Sequence, residues 1–413
     1  MTRLSVGLLA MLLAACSPSL APPAGVWRGV PAPPVGLVAP AVLGLGDGSA
    51  LVLAGQSPDA LIRAGEQSDP VPTVERFASG TWRLQAPEPE ALSYPAIVIL
   101  PNEDVLLVGG IDREGIAVPR AFLYDPRTNR WSRMPDMPAA RAAPFAVLLL
   151  DGTVLVGGGA ADSPNLYPQP SGLAAAWIFD PARQTWRSAG SMHTGRIFAS
   201  ATRLSDSTVL VAGGDDQGNP MASAEVFDPV RGSWTMVAPL PQARSQQVAT
   251  LIGSHVVLMG GRAFTVFGGG FALNAALDAE LYDIGSRSWS LGSPPTFSLS
   301  PEPYVAVASA VDQRLLALTS RQEAVAYDAG ADYWSRITRP PSWQGSPALG
   351  TMASGQVLLL AGKSAWLFDA TGNPRSGDSG PGKETVILFV IAGVLLFLIG
   401  VQRLFRGWRQ PIR

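Results

Sequence analysis

At 413 residues the chain is long enough for two or three ordinary domains, or for one closed array of repeats. Charged residues make up only 15 %, while glycine (44) and proline (37) are abundant, a balance that fits short strands joined by tight turns and argues against a helical bundle or a disordered chain. A net charge of −2, with only two lysines (Lys363 and Lys383), leaves no basic stripe for nucleic acid.

Residues 1–16 read as an export signal, with Arg3 as the positive start and an apolar run from Leu4 to Leu13 too short to span a bilayer comfortably. The run ends in Leu13-Ala14-Ala15-Cys16, which resembles a bacterial lipobox. That resemblance implies that Cys16 carries a thioether-linked lipid; cleavage of an ordinary signal peptide near the same small residues is the alternative. Cys16 is the single cysteine, so the mature domain holds no disulfide, thiolate nucleophile or cysteine-based metal site. Residues 17–25, rich in Pro, Ser and Ala, form a tether.

Residues 26–370 are repetitive. Tryptophan recurs at Trp27, Trp82, Trp131, Trp186, Trp234, Trp289 and Trp334, with spacings of 55, 49, 55, 48, 55 and 45 residues. Five of these follow an aromatic–Asp pair by seven residues: Tyr124-Asp125, Phe179-Asp180, Phe227-Asp228, Tyr282-Asp283 and Tyr327-Asp328. Phe77 before Trp82 is a shortened variant without the Asp, and Phe368-Asp369 has no Trp after it. Upstream of each aromatic lies an apolar run, and four of these runs end in Gly-Gly. Continuous apolar runs suit strands buried on both faces, Gly-Gly permits tight turns, and Trp with Tyr fills wide gaps between sheets.

This pattern resembles the kelch repeat, which implies an all-β, seven-bladed kelch-type β-propeller. Six blades is the alternative if the sixth repeat, which lacks Gly-Gly, is not a full blade. The unpaired Trp27 at the start and Phe368 at the end predict that the N-terminal strand completes the last blade and closes the ring.

After a linker at 371–384, residues 385–402 predict one C-terminal transmembrane helix. The uncharged stretch from Thr385 to Val401 reaches roughly 26 Å as a helix, close to the hydrocarbon thickness. The arginine-rich tail, 403–413, stays cytoplasmic by the positive-inside rule, which puts the propeller on the periplasmic or extracytoplasmic side of the cell membrane.

Long connections between second and third strands are expected in blades I, III and V, all on one face, where binding commonly resides. Arg141, Arg196 and Arg244 each open a blade; such arginines could ring a channel and meet an acidic ligand, or each could pair with an aspartate of its own or a neighbouring blade. His193 and His255, 62 residues apart, do not read as a metal pair, and no cofactor is expected. The kelch-fold copper oxidases need a Cys–Tyr crosslink and histidine ligands, which this domain lacks. The expected function is a non-catalytic, membrane-tethered binding module for an envelope protein or glycan. The alternative is a sugar (sialic acid-type) mutarotase using His193 beside Arg196.

Overall fold

The computed structural model describes residues 25–37, 40–55, 70–162, 170–267, 270–275, 278–295, 304–309, 314–319, 321–343 and 347–370. The export signal with Cys16, the tether up to residue 24, the linker, the predicted membrane helix and the basic tail lie outside them. Among the described residues, no helix is long and apolar enough to cross a membrane.

Seven four-stranded antiparallel sheets follow one another along the chain as blades. Blade II shows the pattern: Ala96–Ile99 innermost, then Val105–Val108, Ala121–Asp125 and Arg130–Met134 outermost. The sixth repeat is a full blade, with strands Tyr304–Ser309, Arg314–Thr319, Ala324–Asp328 and Tyr333–Arg336, so the ring has seven. Its second and third strands are joined by a short turn in which Thr319 and Glu323 pair through the backbone, so it needs no Gly-Gly.

The second strand of each blade is buried along almost its whole length, as in Val105–Val108, Val209–Ala212 and Val357–Ala361. These strands have blades on both sides, which is why their apolar runs do not alternate. The hydrophobic core is therefore a set of seams between neighbouring blades. One seam packs Leu51, Leu53 and Val105 together with Tyr124, between blades I and II. The last packs Leu358 and Leu360 of blade VII on Val52 and Phe77 of blade I.

Every aromatic of the repeat is the cross-strand partner of its tryptophan, from Phe77↔Trp82 to Tyr327↔Trp334, with ring centroids 4.7–5.0 Å apart. Each indole N–H then donates to a backbone carbonyl at or just past the end of the outer strand of the preceding blade, at 2.7–3.0 Å. The tryptophans thus fill the widening rim and also staple each blade to the one before it.

Closure follows the same rule. Strand Val26–Val30 pairs with Ser364–Asp369 as the outer strand of blade VII, with Trp27 opposite Phe368 at 4.9 Å. Trp27 donates to Thr338 O of blade VI, and Trp82 of blade I donates to Pro31 O just past the closing strand. Trp27→Ala should lower stability by about 2–3 kcal/mol, below the usual cost for a core tryptophan because Trp27 is only partly buried. Denaturant unfolding checks this.

In blades II to VI the aspartate of the aromatic–Asp pair caps the turn between third and fourth strands. Asp125 Oδ1 accepts the N–H of Arg127 and of Thr128, and Asp180, Asp228 and Asp328 repeat the arrangement. The shortened blade I uses Ser79-Gly80, both at positive φ, as a two-residue hairpin turn that needs no aspartate. Burial alone would raise the Asp125 carboxyl, but hydrogen bonds from Arg127 and Thr128 together hold it down to about 2. A depressed carboxyl stabilises above its unfolded pKa and loses that contribution as pH falls from about 4 towards 2. Asp125→Asn should accordingly flatten the melting-temperature profile over that window.

Gly-Gly pairs mark where the second strand leaves the sheet. Gly159 sits at φ +80°, and a Cβ there would lie 2.4 Å from Ala142 O. Gly152, at φ +82°, would place a Cβ in open space. Gly152→Ala should thus cost about 1 kcal/mol and Gly159→Ala about 3, readable from urea midpoints.

Candidate functional site

Because the strands within each blade alternate in direction, the connections between blades and the loops between second and third strands emerge on the same face of the ring. This is the loop face. The short turns capped by Asp125 and its equivalents lie on the other, the turn face.

The long blade V connection is not an irregular loop as expected. Arg262–Phe267 pairs with Gly270–Ala275 as a β-hairpin, and Arg244–Ser245 adds a third strand through Ala263 and Arg262. In blades I and III most of the long connection, 56–69 and 163–169, lies outside the described residues.

Arg141, Arg196 and Arg244 occupy equivalent places on the loop face and are fully buried, at 0 % exposure. Each sends Nη1 to the carbonyl of the first glycine of its own Gly-Gly and to the residue at or just before its third strand. The acceptors are Gly158 and Ala175 for Arg141, Gly213 and Ser223 for Arg196, and Gly260 and Asp278 for Arg244. Each arginine's own carbonyl accepts the N–H of the second glycine of the preceding blade, at 2.8–2.9 Å. One residue therefore ties two blades together. None of the three guanidinium groups faces solvent.

Their charge partners are glutamates, not aspartates. Arg196 Nη2 lies 3.0 Å from Glu225 Oε1, and Arg244 Nη2 lies 2.9 Å from Glu280 Oε1, with both members of each pair buried. Arg141 has Trp177 at the glutamate's position and lies 4.1 Å over its ring. Burial without a carboxylate lowers Arg141 to about 10. Blade I inverts this: Leu37 replaces the arginine, while buried Glu75 still accepts the N–H of Val35 at 2.6 Å. Burial holds the Glu75 carboxyl above its usual range.

Glu225 is the best-furnished carboxylate. It accepts N–H groups from His193 (2.7 Å) and Thr194 (3.0 Å), lies against Arg196, and has His193 Nδ1 at 2.9 Å. Burial pushes its carboxyl up, but the His193 and Thr194 backbone groups with Arg196 outweigh it and leave it below the usual range. Glu280 has only Gln242 N–H and Arg244, its Oε2 is unpartnered, and burial prevails to raise it. His193, half-exposed at 55 %, is the one member of the Arg196–Glu225–His193 set that solvent reaches.

The glutamates were missed in the sequence reading. The signal was present: Glu75, Glu225 and Glu280 each stand two residues before the repeat aromatic, and Arg196 and Arg244 open the same blades as Glu225 and Glu280. His255 lies on the turn face, 3.4 Å from Asp283, whereas His193 is on the loop face. The two histidines therefore do not converge, and among the described residues no cluster of His, Cys, Asp or Glu is placed to hold a metal.

The seven blades, the Trp staples and the Gly-Gly kinks define a kelch-type β-propeller. The Kelch motif matches residues 98–138 and 201–241, which cover nearly all of blades II and IV and the chain just after each. Kelch-like protein 35 of Mus musculus is 30 % identical over 114 residues, covering 27 % of this chain and 18 % of that protein. Kelch-like protein terF of Aspergillus terreus is 25 % identical over 146 residues, 34 % of this chain and 31 % of that one. Beta-scruin of Limulus polyphemus is 27 % identical over 140 residues, 34 % of this chain and 15 % of that protein. The matched stretch thus spans less than a third of each relative's length. Among solved structures, YjhT superposes with a TM-score of 0.56 at 14 % identity, over 75 % of this chain and 99 % of that one. A fungal alcohol oxidase in complex with copper gives 0.62 at 12 % identity, over 84 % and 76 %. At such identities the likeness is one of fold. The described residues do not fit a copper site, since the chain has two histidines, on opposite faces, and its single cysteine precedes the propeller.

Proposed function

We propose that this propeller is a non-catalytic binding module held at the outer side of the cytoplasmic membrane, with a protein or glycan of the cell envelope as its partner. The observation that carries the reading is the construction of the loop face. Its connections are clamped from beneath by buried Arg–Glu pairs and Gly-Gly kinks, so exposed groups such as His193 and Ile116 stand on a rigid base. Buried arginines serve this reading as positioning residues under the binding surface. The kelch relatives, whose names record the motif, fit a protein partner.

Tethering rests on the apolar stretch at 385–402, with its flanking arginines, and on the Cys16 lipobox. A chain ending at residue 384 and carrying Cys16→Ser is expected in the soluble fraction after cell lysis, and the single changes in the membrane fraction. Palmitate label that persists in Cys16→Ser would overturn the lipid anchor.

One observation favours the sugar mutarotase as a second reading: His193 is solvent-reachable and held against Glu225 beside Arg196. If the chain accelerates sialic-acid anomerisation, and His193→Ala abolishes the acceleration, the binding-only reading fails.

A further inference from the structure

We infer that a cavity on the loop face between blades I and II receives a cationic side chain, an arginine or lysine, from a segment of the partner protein. This deepens the binding-module reading and depends on it. The cavity, about 350 Å³, is lined by Pro72, Glu88, Glu90, Asp112, Arg113 and Glu114, among others.

Glu88 is what makes it more than an acidic patch. Its backbone N–H donates to Pro72 O as those of Met137, Met192 and Leu240 donate to Pro119, Ala174 and Ala222 in the next three blades. The four positions are therefore equivalent, and the other three hold buried apolar side chains of the seams. Only here does a carboxyl replace an apolar group, at 4 % exposure. Its Oε1 accepts Ala54 N–H at 2.7 Å, and its Oε2 has no hydrogen-bond partner among the described residues. A buried carboxyl oxygen left without a partner at a cavity is costly to the free protein, and a donor entering from outside satisfies it once the carboxyl gives up its proton.

The surrounding charges favour a cation. Glu90 is ion-paired with Arg120 at 2.8 Å and feels Arg133, while Asp112 turns its Oδ1 to the N–H groups of Glu114 and Ile116. Four carboxyl groups line the site with one arginine, Arg113, while Arg120 and Arg133 at its edge are already ion-paired with Glu90 and Asp136. The geometry suits a planar guanidinium or an ammonium better than a metal ion, since no metal-holding cluster occurs among the described residues. Burial raises the Glu88 carboxyl to about 8, so the empty cavity keeps it protonated near neutrality. An entering cation makes it ionise, and its proton passes to the solvent.

The test uses full-length protein in detergent, titrated calorimetrically at pH 7 with an acetylated Gly-Gly-Arg-Gly-Gly amide, and with the citrulline peptide as uncharged control. Heats are compared in two buffers of different ionisation enthalpy. The arginine peptide should bind with release of close to one proton, and the citrulline peptide should not bind. Glu88→Gln, which keeps the acceptor for Ala54 in the neutral form, should fold, lose the proton release and weaken binding about tenfold or more. Asp112→Asn should weaken binding severalfold and retain the release. Absence of arginine-peptide binding, or binding unchanged in Glu88→Gln, overturns the inference. Crosslinking of the loop face to a partner that survives Glu88→Gln sinks this inference alone, whereas loss of all loop-face crosslinks in the unaltered chain sinks the binding-module reading itself.

Discussion

Glu225→Ala is expected to destabilise the propeller by about 3–5 kcal/mol, because it strands the fully buried Arg196 without its counter-charge. The loss also leaves the N–H groups of His193 and Thr194 without an acceptor, so the connection that opens blade IV loosens together with the pair. A double change, Arg196→Met with Glu225→Leu, removes both charges and keeps similar volume. It should recover the part of the loss that comes from the stranded charge. The N–H groups of His193 and Thr194 and the carbonyls of Gly213 and Ser223 stay without partners and keep the double variant below the parent. Urea unfolding of the two variants beside the parent measures both effects. A single-variant cost below about 1 kcal/mol would mean that water reaches the pair and that the loop face is less firmly seated than its hydrogen bonds indicate.

The second large effect concerns Glu88. A carboxyl raised to about 8 in the folded state and ordinary in the unfolded state binds its proton more tightly when folded. Stability should therefore be unaffected below about pH 4.5, fall as pH rises from there to about 8, and level off above it. At ~1.36 kcal/mol per pH unit that window is worth up to ~5 kcal/mol, which water penetration should bring to roughly 3. Glu88→Met, which restores the residue found at the equivalent position of blades III and IV's openings, should be more stable than the parent by about that amount at pH 9. Near pH 5 the advantage should shrink. Melting curves across pH 4–9 test this, and parallel profiles for the two proteins would contradict it. Such a residue is what a functional site at the expense of stability predicts.

Much of the fold was legible because the repeat writes each strand in residue types with one physical job. Trp27 without preceding strands and Phe368 without a following Trp sufficed to foresee their pairing across the closing seam. Blade VI was ambiguous because its Gly-Gly is absent, and the structure shows why: a short connection needs no kink. The site was less legible. Arg141, Arg196 and Arg244 stood out, yet whether a guanidinium points into a channel or back into its blade depends on the third strand, which sits far along the chain. Glu225 and Glu280 answer it for two blades and Trp177 for the third. Glu88 was passed over because a glutamate between prolines looks like surface loop; only alignment of the hydrogen bonds of four blades shows that it occupies a core position. The blade V hairpin was likewise hidden by glycines at 268–270, which read as irregular chain.

The claim that one face of the ring does the binding is tested most directly by site-specific photo-crosslinking in native membranes. A photo-reactive phenylalanine analogue would replace Ile116 on the loop face (61 % exposed) or, separately, Val230 on the turn face (93 % exposed). The account predicts a discrete crosslinked partner from position 116 and none from position 230, although the latter is the more exposed. A partner captured from 230 and not from 116 would contradict it.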